Sequence, residues 1–356
     1  MTRAADRASP AHRYRMPAEW ARHEATWLSW PHNPDTWPGC LDAVEAPMID
    51  VVAALAEVET VHINVQNTDR ARYLEKRLAS RVPSGSVKLH EVPTNDAWCR
   101  DHGAIFVLAK DGADEPMLAH DFGYNAWGGK YPPYDLDQAV AGRMAEVLGV
   151  PRVAHSMILE GGSIDVNGAG ALLTTEECLL NPNRNPGLTR EAIERSVRET
   201  FGVEQIVWLG AGIEGDDTDG HIDEITRFVG PLTVVTAVEE NRDDANFEPL
   251  AANRRVLEEL RLEGGAALEI VDLPMPEPLY YRGERLPASY ANFYVANDVV
   301  LIPAFGVAAD AAARAVVAEC FPERRVVAID CRHLVVGLGG LHCLTQQVPA
   351  RGCGLS

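Results

Sequence analysis

Apolar and polar positions change period many times along this chain. Over residues 42–58 the apolar side chains return every three or four positions, which predicts a helix with one buried face. Val61-His62-Ile63-Asn64-Val65 alternates, as a half-buried strand does. Residues 70–78 are helical again, and 87–92 and 104–108 read as strands. A helix over 135–148 is expected to stop at Gly149, which tolerates the left-handed conformation of a helix end. Strands at 163–166 and 171–174 flank the turn pair Asn167-Gly168. Thr189 is placed to cap a helix over 190–199. Strands follow at 206–209, 222–229, 232–238 and 267–273, with a helix at 253–262. A hairpin over Asn297-Asp298 joins 290–295 to 299–302, and a helix at 308–318 leads to a strand at 325–329.

This order reads as roughly four or five β-β-α-β units of about 65 residues each, longer than the usual solenoid period. Many adjacent strand pairs are hairpins, which argues against a doubly wound parallel sheet. A general α/β fold with an antiparallel component is the competing description. Residues 1–14 are polar and read as a mobile tail. No linker divides the remainder, so residues 15–356 are expected to form a single domain.

Charge narrows the function. There are 52 Asp and Glu against 32 Lys and Arg, a net charge of −20. Nucleic-acid binding needs a basic footprint that this chain lacks, whereas an acidic field draws in small cations. No apolar run approaches the ~18 residues of a membrane span. The seven cysteines have no CxxC spacing and no signal peptide is visible, so a cytoplasmic setting is expected.

The candidate chemistry lies in separate segments. Gly339-Gly340-Leu341-His342-Cys343 places a thiol behind two glycines that allow close backbone approach. A catalytic cysteine needs a lowered pKa or a nearby base, and a buried structural cysteine is the competing reading. Cys99 and Cys178 compete with Cys343 on spacing alone. In Asp219-Gly220-His221-Ile222-Asp223, the strand expected at 222–229 would put His221 and Asp223 on one face, suited to proton transfer and cation binding. A metal site on Asp216, Asp217, Asp219, His221 and Asp223 competes. The calcium-loop pattern fails there, with Gly215 and Thr226 at its first and last positions. Asp101 lies three residues beyond Trp98, and a carboxylate beside an aromatic face can hold a planar cation. The bland alternative is a surface pair with Arg100. Glu160 ends an apolar run before Gly161-Gly162, and read alone it is a loop charge. One Cys, one His and three carboxylates together point to a thiol nucleophile in an acidic pocket that takes a guanidinium group. No phosphate-binding loop or serine nucleophile elbow is present.

Taken in order, these segments resemble the agmatine deiminase family, which includes the Porphyromonas-type peptidylarginine deiminases. The likeness runs from Met16-Pro17-Ala18-Glu19-Trp20 and Trp27-Leu28-Ser29-Trp30-Pro31 through Asn95-Asp96-Ala97-Trp98-Cys99-Arg100-Asp101 and Asn125-Ala126-Trp127-Gly128-Gly129. It continues in Leu159-Glu160-Gly161-Gly162, Thr175-Glu176-Glu177-Cys178, Ser289-Tyr290-Ala291-Asn292-Phe293-Tyr294 and Leu341-His342-Cys343-Leu344-Thr345-Gln346-Gln347. The resemblance implies the pentein fold, a five-bladed α/β propeller of ββαβ-type repeats with a central active site. It also implies roles. Asp101 and Asp223 clamp the guanidinium, Cys343 attacks its carbon, His221 moves protons and Glu160 orients His221. Trp98, Trp127, Asp217, Asp219 and Gly340 are the expected substrate-binding residues. No metal or organic cofactor is expected, and a homodimer is only the default.

Asp217 stands where relatives often carry Glu, and 278–285 is shorter than in many of them, so the substrate's far end is the open question. Agmatine, cationic at both ends, suits an acidic site including Asp217. Free arginine would need a cation for its carboxylate, for which Arg184 is conceivable. Peptidylarginine and an amidinotransferase reaction are further readings, and an acidic metal-binding protein is the reading without catalysis.

Overall fold

The computed structural model describes residues 13–352 apart from 111, 112, 114 and 263. Its two ends meet: Thr345–Pro349 runs antiparallel to His23–Ser29, with Thr345 opposite Leu28. His23–Ser29 then pairs in parallel with Thr60–Val65. Parallel strands need a crossover, and here it is helix Leu41–Ala56, which buries Val44, Met48, Val51, Val52 and Leu55.

The same arrangement occurs four more times. Ile105–Ala109 pairs antiparallel with Met117–Gly123, which pairs in parallel with Arg152–Ile158 beyond helix Val140–Leu148. Asp165–Val166, Ala171–Thr175 and Gln205–Leu209 repeat it around helix Arg190–Phe201. Thr226–Gly230, Thr233–Val238 and Glu269–Pro274 repeat it around Phe247–Glu259. Tyr294–Ala296, Val299–Ala304 and Arg325–Asp330 repeat it around Asp310–Cys320. The chain is therefore an α/β protein, and its described residues form five sheets of this kind, plus a small hairpin of Tyr280–Tyr281 and Glu284–Arg285.

Local signals explain most element ends. Thr189 Oγ1 accepts the Ala192 N–H at 3.3 Å and starts Arg190–Phe201. Gly149 has φ 63° and stops Val140–Leu148, although the helix expected over 135–148 is interrupted at Ala139.

Several expectations need correction. Residues 222–229 are not one strand. Ile222–Glu224 is a turn of 3₁₀ helix, and the strand begins at Thr226. The backbone closes on itself there, Glu224 N to His221 O at 3.3 Å and Ile225 N to Ile222 O at 3.0 Å. The helix expected at 253–262 starts earlier, at Phe247. Strands His23–Ser29, Met117–Gly123, Arg152–Ile158 and Thr345–Pro349 were missed. His23–Ser29 and Thr345–Pro349 are buried on both faces, save Glu24, so little alternation marks them. Tyr14 does not belong to a tail: Tyr14–Arg15 pairs with Leu108 and Ala109. Residues 1–12 and Cys353 lie outside the described residues.

Candidate active site

Each of the five sheets is preceded by a short segment, and these segments converge. Cys99–His102, ahead of Ile105–Ala109, carries Asp101. Glu160 caps Gly161–Ser163, ahead of Asp165–Val166. His221 caps Ile222–Glu224, which carries Asp223 and precedes Thr226–Gly230. Asn292 lies just before Tyr294–Ala296, and Leu341–Leu344, with Cys343, runs straight into Thr345–Pro349. All five expected catalytic residues are buried: Glu160, His221 and Asp223 at 0% exposure, Asp101 at 4% and Cys343 at 5%.

Gly162 marks where they meet. A Cβ added there would lie 2.6 Å from His221 Nδ1, 2.8 Å from Asp101 Oδ1 and 3.1 Å from Asp223 Oδ2. Only glycine leaves room for these three groups at one point. Its N–H donates to Asp101 Oδ1 at 3.0 Å, and Trp127 Nε1 donates to Asp101 Oδ2 at 3.0 Å. Cys343 Sγ lies 3.7 Å from Asp223 Oδ2 and 3.7 Å from Glu224 Oε1. Asn292 Nδ2 donates to Sγ at 3.1 Å. The 3₁₀ turn, rather than a strand face, brings His221 and Asp223 together.

Burial and charge set the protonation states. Burial pushes the Cys343 thiol well up, and Asp223, Glu224 and Asp101 push it further. Burial would lower His221, but Asp101 and then Cys178 and Asp223 hold it well above the ordinary range. Asp101 is pushed up to about 6 by burial, with His221 opposing and Asp223 and Glu160 adding to it. Burial acts the same way on Asp223, yet His342 and His221 outweigh it and keep that carboxylate below its usual value. The empty site therefore holds a thiol, an imidazolium and an ionised Asp223. Two acidic side chains, Asp223 and Glu224, stand beside the sulfur.

Glu160 is sealed behind His221. Its Oε1 accepts from Arg184 Nε at 2.7 Å, and neither side chain reaches solvent. Its Oε2 and both ring nitrogens of His221 lack hydrogen-bond partners. One ligand atom each from Glu160, Cys178 and His221 lies within 4.8 Å of the other two. Arg184 also donates to Asn183, Asp219 and the Thr218 carbonyl, so it is not available to a substrate carboxylate.

A cavity of about 790 Å³ opens above Cys343, with Trp98, Asp101, Trp127 and Asp217 in its walls. Six carboxylates line it (Asp35, Asp96, Asp101, Asp137, Asp217 and Glu284), against the side-chain cations Lys130 and Arg282. Asp217 accepts from the Tyr131 hydroxyl. Two expected substrate-binding residues are elsewhere. Asp219 is absent from the wall and is taken up by Lys130, Asn183 and Arg184, whose hydrogen bonds outweigh burial and lower its pKa. Gly340 admits Asn292 rather than substrate, since a Cβ there would lie 2.6 Å from Asn292 Oδ1.

Asp216, Asp217 and Asp219 do not converge as a metal site would require, whereas one oxygen or sulfur atom each from Asp223, Glu224 and Cys343 lies within 4.8 Å of the other two. Asp216 accepts from the backbone N–H groups of Thr218, Gly220 and His221, while Asp217 and Asp219 face different partners.

Sequence reasoning missed four further residues of this network. His342 joins Asp223 to Glu19, Nδ1 to Oδ2 and Nε2 to Oε2 at 2.7 Å each. Glu19 in turn meets Arg227 Nη2 at 2.9 Å and Arg100 Nη2 at 3.4 Å. Asn292 and Glu224 flank the sulfur. All four stand inside or beside motifs already singled out, but only the fold points them inward.

A family profile for Porphyromonas-type peptidyl-arginine deiminases matches residues 15–349. An agmatine deiminase of Pseudomonas aeruginosa is 39% identical over 360 residues, covering 95% of this chain and 96% of that protein. The solved agmatine deiminase of Enterococcus faecalis superposes with a TM-score of 0.88 at 30% identity, covering 98% and 100% of the two chains. That of C. jejuni, with substrate bound, gives 0.85 at 31% identity, covering 95% and 97%. This chain belongs to the Porphyromonas-type peptidyl-arginine deiminase family, alongside those agmatine deiminases.

Proposed function

We propose that this protein hydrolyses agmatine to N-carbamoylputrescine and ammonia. The observation that carries the reading is the Cys343 sulfur between two carboxylates, with Asp101 and His221 across from it at Gly162. A guanidinium suits this acidic surrounding. Asp101 and Asp223 take its N–H groups in charge-assisted hydrogen bonds. Its arrival favours loss of the thiol proton to solvent, and the thiolate attacks the guanidinium carbon.

The C–S bond forms as the C=N electrons move to nitrogen, giving a tetrahedral adduct. His221, charged beforehand, gives its proton to one nitrogen, and ammonia leaves a thiouronium bound to Cys343. Neutral His221 then takes a proton from the attacking water. The second adduct collapses, the C–S bond breaks, and the hydroxyl proton restores the thiol. Glu160, itself held by Arg184, lies close to His221 and favours its charged form. No metal or organic cofactor enters these steps.

Charge supports agmatine as substrate. Its tail ends in an ammonium, which suits a wall holding Asp217 and Asp96, whereas burial pushes Asp137 up to about 7. A free arginine carboxylate would face those groups with Arg184 already enclosed. Five ββαβ units, each sending one segment to one site, support a five-bladed propeller and a single catalytic domain.

The test is ammonia release from agmatine, free arginine and a peptidylarginine, for wild type and Cys343→Ala. Turnover of agmatine that requires Cys343 is expected. Preference for another guanidine overturns the substrate, and an active Cys343→Ala variant overturns the nucleophile.

A further inference from the structure

Glu19 and His342 are 323 residues apart in the chain and meet at 2.7 Å, Oε2 to Nε2. On its other side the His342 ring meets Asp223, Nδ1 to Oδ2, also at 2.7 Å. The ring thus lies between two carboxylates, and the side chains of Glu19, His342 and Asp223 are 8%, 2% and 0% exposed. Burial would raise both carboxyls. Arg227 and then His342 nevertheless hold Glu19 well below the usual range, and His342 and then His221 do the same for Asp223. An ionised carboxylate can only accept a hydrogen bond, so each contact takes an N–H from the ring. Both ring nitrogens carry hydrogen, and His342 is a buried cation.

We propose that Glu19 is a positioning residue that acts through His342, holding the ring as a fixed cation against Asp223 so that Asp223 stays ionised and in place for a guanidinium. This rests on Asp223 being a substrate carboxylate of the deiminase reading. A buried imidazolium needs both of its carboxylates, because burial disfavours the cation once either is neutral. A neutral ring offers Asp223 only an uncharged, weaker hydrogen bond, and burial then favours the protonated carboxyl.

The neighbouring arginines are committed elsewhere. Arg227 donates to Asp165 through Nε, to Glu19 through Nη2 at 2.9 Å and to the Phe293 carbonyl through Nη1 at 2.9 Å. Arg100 gives Nη1 to Gln347 at 2.7 Å and Nη2 to Glu19 at 3.4 Å. Asp101, Glu224, Cys343 and His221 face Asp223 from the side of the reacting centre, and the Tyr294 ring lies 6.5 Å from that of His342. Glu19 is anchored independently of the ring, since its Oε1 accepts the Val295 N–H at 2.8 Å. A neutral side chain of the same shape at 19 keeps that contact and removes the charge.

The experiment is nitrogen NMR of the isotope-labelled histidine rings in substrate-free enzyme, with the His342 signals assigned by their loss in His342→Asn. Wild type is expected to carry hydrogen on both His342 nitrogens from about pH 6 to about pH 8, and Glu19→Gln to lose one of them within that range. A singly protonated His342 in wild type overturns the proposal, and that measurement stands even where the variant does not fold. A ring that stays charged in Glu19→Gln as in wild type also overturns it. No substrate is used, so these outcomes are separate from the ammonia assay, which alone decides the deiminase reading. Steady-state kinetics then separates positioning from packing. In Glu19→Gln, KM for agmatine is expected about tenfold above wild type near pH 6, closing on wild type at about pH 8, with kcat within about threefold. Asp101 titrates in both enzymes and cancels in the ratio. A rise in KM that is equal at every pH would be a loss of packing alone and overturns the proposal.

Discussion

His342 and Asp223, 119 residues apart in the chain, meet at 2.7 Å, Nδ1 to Oδ2. The contact ties the residue before the proposed nucleophile to the carboxylate proposed to hold the substrate. It also keeps Asp223 ionised where burial would otherwise protonate it.

Replacing His342 by Ala leaves Asp223 and Glu19 each short of a buried hydrogen bond, a cost of about 1–3 kcal/mol apiece. A lower thermal midpoint is expected, measured by calorimetry. The acid limb of kcat/KM should also move to higher pH, because Asp223 ionises less readily. An unchanged limb would mean that the contact does not set the charge of Asp223.

Gly162→Ala puts a methyl group into the point shared by His221, Asp101 and Asp223. Agmatine turnover should fall about 1000-fold or more, as misplacing a reacting group by an ångström already costs about 100-fold. Circular dichroism and steady-state kinetics on one preparation separate this from loss of fold. Near-normal kcat/KM would remove Gly162 from the reacting centre.

Asp101 links pH to activity and stability in opposite senses. Its folded pKa is pushed up to about 6, above the unfolded value, because burial disfavours the charge. Cation binding needs the ionised form, so kcat/KM should fall about tenfold per unit below pH 6. The folded state holds this proton more tightly, so its contribution to stability is present below the unfolded pKa. That contribution is lost as pH rises through about 6. Compared with Asp101→Asn, wild type should lose about 3 kcal/mol of stability between pH 4 and 7. Denaturant unfolding of both at several pH values measures the difference.

Breaking the enclosed pair of Arg184 and Glu160 leaves an uncompensated buried charge. Arg184→Ala should cost about 3–5 kcal/mol of stability. Arg184→Ala combined with Glu160→Gln should recover part of it. Urea denaturation of the single and double variants checks this, and equal losses would argue against coupling.

Asp217→Asn tests the substrate's far end. The side chain lines the cavity without contacting Cys343 in any hydrogen bond, so the effect should fall on binding. KM for agmatine is expected to rise about 10- to 100-fold, the worth of one charge-assisted hydrogen bond, with kcat within about threefold of wild type. Steady-state kinetics with agmatine decides it, and a loss confined to kcat would place Asp217 in the chemistry instead.

By itself the sequence determined the order of strands and helices through the three sheets between Asp165 and Asp330, because period and capping act over a few neighbours. Residues 60–65, 299–304 and 325–330 carry their strand character in their own side chains. It also made Cys343, His221, Asp101, Glu160 and Asp223 recognisable, since their motifs are short. The tertiary structure alone decided where each of them points. His221 and Asp223 converge through a 3₁₀ turn that a strand reading misses. Asp219 and Arg184, plausible substrate ligands on the page of residues, are spent on each other. Glu19, Glu224, Asn292 and His342 gain their places only when segments up to 323 residues apart are brought together. Burial and the charges brought alongside, which together set the shifted pKa values in the site, are properties of that assembly and not of any local stretch.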